Sequence, residues 1–448
     1  MTKKILRTAL TAIAMSIVLP LSAQGQSATV GTLDIDLAKA IEVALAENPT
    51  IKVADKDIDL KKIADTEAWQ SLLPTVDANL GLQHSIQVAA IKTEMGSFKM
   101  GRDGTTTATG NITLSLPIFA PAVYQNMKMT KEDILLAQEK ARGSRLDLIN
   151  QVTKAYYQAL LAKDSYEVMK KSYNLAKENF EVVDNKFKVG SVSEYDKISA
   201  DVQQRSMSSS VVSAETGLTL ALLKLKVLMG ITENVNININ DNLRHYSENL
   251  SLEDANSSVF EIGNNTNLRQ LDYNAALLQR TNKILKTNFM PTLAMQATYQ
   301  YQLYSNPNWN IFKYAYSPSS SLVLSLSIPI FHASNWTKIK SNKLQLEQLA
   351  DTRENTVRQL NMAIESYRRN MASTIAQLES NKEAIVQADK AVEITGKRYE
   401  VGRGTILELN QSQTALTQAE LTYNQSVYDY LVNKAELDYT LGRETLLK

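Results

Sequence analysis

The stretch Leu114-Ser115-Leu116-Pro117-Ile118-Phe119 comes back 212 residues further on as Leu326-Ser327-Ile328-Pro329-Ile330-Phe331. At the same offset of 212, Val189-Gly190 returns as Val401-Gly402 and Met229-Gly230 as Leu441-Gly442. Upstream, Leu73-Pro74-Thr75 is answered by Met290-Pro291-Thr292 at an offset of 217, so the difference falls between the two prolines of each copy. What repeats is a strand hairpin joined to a very long helical hairpin, one supersecondary unit used twice. A chain built this way suits a pseudo-symmetric wall better than a catalytic domain.

The strands are read from a period of two. Val76, Ala78, Leu80 and Leu82 alternate with Asp77, Asn79, Gly81 and Gln83, and Ala108, Ile112, Leu114 and Leu116 alternate with Thr107, Thr109, Asn111, Thr113 and Ser115. In the second copy Leu293, Met295, Ala297, Tyr299, Tyr301 and Leu303, then Leu322, Leu324, Leu326 and Ile328, keep the same period. The pattern predicts strands over 75–86, 106–116, 292–304 and 320–328, close to the length a tilted strand needs to cross a bilayer. Half-buried soluble strands alternate too, so a β-sandwich core is the competing reading. Aromatic placement favours the membrane. Trp69, Phe119, Phe331 and Trp336 gather at the proline ends, and Trp309, Phe312, Tyr314 and Tyr316 stand near the far end of the second hairpin, as two interfacial girdles would.

From Tyr124 to Lys188 there is no proline, and Gly143 is the single glycine. A helix of about 65 residues is roughly 100 Å long. Such helices need neighbours along their whole length, which coiled-coil packing supplies. Repeat 1 is assigned to 24–230, with helices in 34–73, broken at Asn48-Pro49, and a helical hairpin over 124–229. Repeat 2 covers 254–448, with a helix over 254–289 and a hairpin over 336–441. Between them lies an equatorial segment, 231–253, containing Val235-Asn236-Ile237-Asn238-Ile239-Asn240. It reads as a short strand or belt outside the helical column, and no function follows from it.

Met1 to Ala23 reads as a secretory signal peptide: Lys3, Lys4 and Arg7, an apolar run from Ala9 to Leu21, then Leu-Ser-Ala. A lone membrane anchor is the alternative, but the run is short for one and no charge flanks its far side. Removing the three basic residues takes the formal charge from +1 to −2, a balance that gives no reason to expect nucleic acid. There is no cysteine, hence no disulfide framework, thiol nucleophile or lipidated N-terminal cysteine. His84, His245 and His332 show no ligand spacing, and no phosphate loop or nucleophile elbow is present. The expectation is a non-enzyme with no catalytic residues, no metal and no cofactor.

Four strands cannot close a barrel, and an open edge in lipid leaves backbone groups unpaired at several kcal/mol each. Two copies would give eight strands, whose interior side chains just fill; three would give twelve. The inward set (Asp77, Asn79, Gln83, Thr109, Asn111, Gln296) is polar and mostly small, which fits a wetted lumen and three copies.

With these residues in view, the chain resembles the TolC-like outer-membrane efflux family over essentially everything after the signal. The carriers are the Asn48-Pro49 helix end, the paired Leu-Pro-Thr and Pro-Ile-Phe junctions, and the two Val-Gly turns, each followed by an acid. The resemblance implies a mostly α protein with a membrane β-barrel. Its homotrimer forms a 12-strand barrel in outer-membrane lipid and a 12-helix periplasmic α-barrel. It further implies a Gram-negative outer membrane location and an exit duct for efflux or type I secretion. The partners implied are a periplasmic adaptor (membrane fusion) protein and an inner-membrane RND or ABC transporter. An exported, non-conducting coiled-coil scaffold or adhesin is the alternative. Neither the substrate nor the class of pump is written in the chain.

Two sets of positions follow. Pro74, Pro117, Pro291 and Pro329 stand where strand meets helix and set a change of direction, because proline fixes φ and breaks both ladders. Gly190 and Gly402 suit helix stops. Ser193-Glu194-Tyr195-Asp196 and Thr405-Ile406-Leu407-Glu408 then spell capping boxes, a local account sufficient for both acids. The resemblance adds a second account, a closed tip in which Asp196 and Tyr399 match positions that pair and Glu408 matches an acidic ring. Gln411 stands where a second acid is expected, and Gly404 where an arginine is, with Arg403 adjacent. These departures imply a less cation-selective, more loosely latched tip.

Overall fold

The structure, a computed structural model, describes residues 32–443 apart from 95, 100–102, 233–234, 249, 251–259 and 306–314. The expected signal peptide and Trp309, Phe312 and Tyr314 therefore lie outside the described residues. In chain order the elements are β1 (Thr32–Asp34), α1 (Leu37–Glu47), α2 (Pro49–Gln70), β2 (Thr75–Ser85), β3 (Ala90–Thr93), β4 (Gly96–Lys99) and β5 (Thr105–Phe119). There follow α3 (Pro121–Lys188), α4 (Glu194–Leu228), β6 (Asn236–Asn238), α5 (Leu243–Ser247) and α6 (Thr266–Thr287). Last come β7 (Thr292–Ser305), β8 (Ser317–Ser327), α7 (Ala333–Glu400) and α8 (Ile406–Leu441). The fold is mostly helical, and among the described residues no helix is long and apolar enough to cross a membrane.

The period-two segments form one antiparallel sheet in the order β2-β5-β7-β8. Its centre is the β5–β7 pairing, with Thr113 opposite Thr298, which joins the first half of the chain to the second. Because successive residues point to opposite faces, the register lines Leu80, Ile112, Leu322 and Leu324 on one face and the polar residues on the other. The apolar face is uncovered, and Leu80 is 92% exposed. The sheet is open, with β2 and β8 as its edges.

Helices α3 and α7 are each 68 residues, about 100 Å at 1.5 Å per residue. The far half of α3 pairs with α4 and that of α7 with α8; nearer the sheet, α3 packs against α2 and α6, and α6 against α7. Gly143 faces α6, where a Cβ would sit 3.2 Å from Gln270 Nε2, the movable end of its side chain, and 3.5 Å from Thr266. The main core lies midway along the column, where Ile41, Val152, Tyr156, Leu160, Leu225 and Leu437 are fully buried. Described residues of the inter-repeat segment pack on this core, with Ile239 and Leu243 buried in it. The segment's β6 pairs in parallel with β1, and Lys163 Nζ donates to the carbonyls of Ile239 (2.7 Å) and Asp241 (3.0 Å). The hydroxyls of Tyr156 and Tyr246 both donate to Asp241 Oδ2, at 3.0 Å each.

Three expectations need correction. The helix read over 254–289 does not run unbroken: 260–265 is not helical, and a helix opens at Thr266, capped by Asn265, which accepts from the N–H groups of Asn267 and Leu268; 254–259 lies outside the described residues. The helical spacing read from residue 34 starts at Leu37 after the Asp36 cap, Asp34 being in β1. Pro117 is inside β5 and not at its junction with α3. It pairs with Ala294 just before the register shifts towards Phe119, and an irregularity of this kind is where a sheet tolerates a residue without an N–H. The helix is opened instead by Pro121 at its first turn, where the missing N–H costs nothing.

Candidate functional site

The far ends of the two helical hairpins are built by the same local physics. Each long helix ends in a glycine with positive φ (Gly190, +72°; Gly402, +71°), and the next residue's N–H reaches five back, from Ser191 to the Lys186 carbonyl and from Arg403 to the Arg398 carbonyl. The returning helices open with reciprocal caps. Asp196 N–H donates to Ser193 Oγ (3.2 Å) while Ser193 N–H donates to Asp196 Oδ2 (3.1 Å). Glu408 N–H donates to Thr405 Oγ1 (3.2 Å), and Thr405 N–H returns to Glu408 Oε2 (3.4 Å). Both acids are thus held by their own helices.

Between the hairpins sits a small cluster of its own: Val183, Ala200, Tyr399, Ile406 and Leu409. The Tyr399 hydroxyl is buried with no hydrogen-bond partner, and burial, reinforced by the Asp196 charge, holds its pKa above the ordinary phenol value. Asp196 and Tyr399 are therefore neighbours without a hydrogen bond, because the carboxylate is committed to Ser193. Higher up the hairpins, Lys171 donates to Glu420 (3.0 Å) and Ser172 meets Thr417 (2.6 Å). At the turns one direct tie between the hairpins is Lys186, whose Nζ donates to the Glu400 carbonyl at 3.2 Å and lies 5.1 Å from the centre of the Tyr399 ring. A cation there also meets the negative end of α7. Within the first hairpin, Asp184 takes Lys188 (2.6 Å) and Lys197 (2.8 Å), and these hydrogen bonds hold its carboxyl below the ordinary range.

The second turn is tight against its helix. A Cβ on Gly404 would lie 3.2 Å from Arg398 Cβ and from Tyr399 N, so a side chain there needs its neighbours to give way. Arg398 donates to the Arg403 carbonyl at 3.2 Å and stands 3.8 Å from Glu408. Gln411 is exposed in a shallow cleft between the first turns of α4 and α8, beside Tyr195, Ile198, Val202 and Leu407.

At the other end of the column, Pro74 separates α2 from β2, Pro291 separates α6 from β7, and Pro329 lies between β8 and α7. Trp69 sits on the last turn of α2 and Phe119 ends β5; Phe331 precedes α7, and Trp336 lies on it, its ring 5.1 Å from that of Phe289. All four aromatics are substantially exposed at the sheet–helix boundary. Sequence reading missed Lys186, Asp184, Lys197 and Asn265. Only the last left a signal, since it follows Asn48 at the same offset of 217 that relates Pro291 to Pro74.

The model of one protein family, described as outer membrane efflux protein, matches residues 40–231 and 261–443. The outer membrane protein TolC of Vibrio cholerae serotype O1 is 21% identical over 432 residues, covering 93% of this chain and 94% of that protein. The alkaline protease secretion protein AprF of Pseudomonas aeruginosa is 20% identical, covering 91% and 84%. Among solved structures, the Campylobacter jejuni CmeC outer membrane channel superposes with a TM-score of 0.72 at 17% identity, covering 91% of this chain and 85% of that one. The open state of the Neisseria gonorrhoeae MtrE outer membrane channel gives 0.69 at 16% identity, covering 92% and 89%. At these identities the structural likeness speaks for the fold.

Proposed function

The chain belongs to the outer membrane efflux protein family, and on that premise we propose that three copies close into one exit duct. It is an efflux channel protein of a Gram-negative outer membrane, with a large periplasmic part formed by the helical column. The observation that carries the closed duct is a two-faced sheet with both edges open. Among the described residues strands β2 and β8 have no outer neighbours and the apolar face is bare, and an unpaired edge in lipid costs several kcal/mol per backbone group. Pairing β8 of one copy with β2 of the next removes both edges. Twelve strands leave a lumen that the polar face can wet, whereas eight would be filled by side chains.

Bare apolar side chains below the sheet support the same seam: Val53, Leu60 and Ile63 on α2, and Leu344 and Met362 on α7. Such exposed rows on monomers mark contact surfaces. Substrates pass down the axis, driven from an inner-membrane RND or ABC transporter through a periplasmic adaptor that reaches the tips. The tip turns form the lower gate, with Glu408 repeated three times around the axis and Gln411 adding no second charge. Lys186 on the Glu400 carbonyl joins the ends of the two hairpins of one copy.

The test is the mature full-length protein in detergent and in planar bilayers. The duct predicts a heat-resistant particle of three chains that conducts ions and fractionates with outer membranes. A monodisperse, fully folded single subunit that is water-soluble and electrically silent sinks it and returns the chain to a scaffold or adhesin.

A further inference from the structure

We propose that Asp77 sets the charge selectivity of the barrel lumen. The inference rests on the duct reading, because only a closed, water-filled barrel turns one side chain per copy into a ring. The register places Asp77 opposite Thr113, Thr113 opposite Thr298, and Thr298 opposite Ser321, so one row of the polar face is a carboxylate followed by three hydroxyls. Thr113 and Thr298 face each other at 3.4 Å between their hydroxyl oxygens. The next row, away from the helices, is Asn79, Asn111, Gln300 and Ser319, with Asn79 Nδ2 donating to Asn111 Oδ1 at 3.2 Å.

Every other described position on this face carries a neutral side chain. That holds for alternate residues from Thr75 to Ser85, Thr105 to Ser115, Thr292 to Gln302 and Ser317 to Ser327. His84 points to the opposite face, by parity. Among the described residues the lumen of the strand region is therefore neutral and mostly hydrogen-bonding, with Ala294 and Val323 as its apolar members, apart from one acid per copy near its helix-facing mouth, three residues beyond Pro74. The cross-strand and diagonal neighbours of Asp77 on β5 are Thr113, Asn111 and Ser115, none of which compensates its charge.

Magnitudes decide whether such a ring is felt. Twelve strands about 4.8 Å apart and tilted about 40° close on a backbone radius of roughly 12 Å. Each carboxylate then lies within about one Debye length of the axis at 0.1 M salt, where that length is about 10 Å, and several lengths away at 1 M, where it is about 3 Å. Three like charges at that distance bias cation over anion entry by roughly threefold at the lower salt and hardly at all at the higher. The ring is some 100 Å of helix away from the tip, so it acts independently of Glu408.

The experiment measures reversal potentials of the full-length protein in planar bilayers under potassium chloride gradients centred near 0.1 M and near 1 M. Asp77→Asn is expected to lower the potassium-to-chloride permeability ratio roughly threefold at 0.1 M. Asp77→Lys should lower it further, and the three proteins should converge at 1 M. The same ratio in all three proteins at 0.1 M overturns the assignment. A wild-type protein that passes no current overturns the duct itself, and the inference with it.

Discussion

Four glycines with one backbone conformation stand in two different surroundings. Gly190 and Gly402 at the tips, and Gly230 and Gly442 at the opposite ends of the returning helices, have φ between +67° and +72° and stop their helices with the same pair of hydrogen bonds. A Cβ would meet nothing within 4 Å at either tip. At Gly230 it would lie 3.0 Å from the Glu47 backbone, and at Gly442 2.7 Å from the Asn264 carbonyl carbon and closer still to its oxygen. Beside each packed glycine is a buried asparagine that serves two helices. Asn48 caps α2 through Thr50 N–H and donates to the Leu228 carbonyl at 2.7 Å; Asn265 caps α6 and donates to the Thr440 carbonyl at 2.8 Å. The upper corners are closed joints of three segments against the main core, and the tips are single turns over a cluster of five buried side chains. A hairpin built this way is positioned from its upper corner and yields first below, which suits a wall fixed at mid-column and opened at its far end.

The sharpest way to break that comparison is to add one methyl at each glycine. In all four the left-handed conformation costs about 1–2 kcal/mol for an L-residue. At Gly442 the backbone of Asn264 must also move, so Gly442→Ala is expected to cost about 4 kcal/mol or more, among the exceptional single-site losses. Gly230→Ala should follow at about 3 kcal/mol. Gly190→Ala and Gly402→Ala should stay near the conformational cost alone. The check is the heat-scan midpoint of the purified assembly; equal drops at Gly402 and Gly442 would abolish the distinction between joint and tip.

Asparagine and serine or threonine caps sharpen it. Asn265→Ala and Asn48→Ala each remove a cap, worth about 1 kcal/mol, and leave a buried carbonyl without its donor, about another 1 kcal/mol. Ser193→Ala and Thr405→Ala remove only a cap on an exposed turn, so about half that loss is expected. Asn265→Asp keeps the acceptor for Leu268 N–H and loses the donor to Thr440, which separates the two contributions. If it matches the wild type in the same scans, the link between α6 and α8 has no weight.

Much of this was legible in the chain. The period of two fixes which face of each strand is apolar, and the paired Val-Gly turns locate the helix stops, because both patterns are local. Neighbourhood is not local. Pro117 and Pro329 sit in the same hexapeptide context, yet β5 is paired on both sides and runs on past Pro117, whereas β8 is paired on one side and ends at Ser327, before Pro329. The resemblance led to the expectation that Asp196 and Tyr399 pair, but the capping box spelled by Ser193 takes the carboxylate first. Lys186 carried no signal at all: a lysine in the last turn of a helix reads as a dipole partner of its own helix, and only the approach of its Nζ to the Glu400 carbonyl shows that it serves the end of α7.

The smallest stability effect belongs to the tip acid that both readings claim. Glu408→Gln keeps an oxygen for Thr405 N–H, and glutamine serves a capping box as glutamate does, so the midpoint should move by less than about 0.5 kcal/mol in equivalent stability. What it removes is one charge from each copy, three from a trimer. Arg398, 3.8 Å away on an exposed surface, compensates that charge only weakly. The cation preference of single channels should therefore fall while heat resistance holds. A fall in heat resistance with unchanged selectivity would leave Glu408 as a cap alone. Because Asp77 and Glu408 lie at opposite ends of the column, their effects on selectivity should combine without interacting, and a double substitution that departs from the sum would mean that the two ends of the duct are coupled.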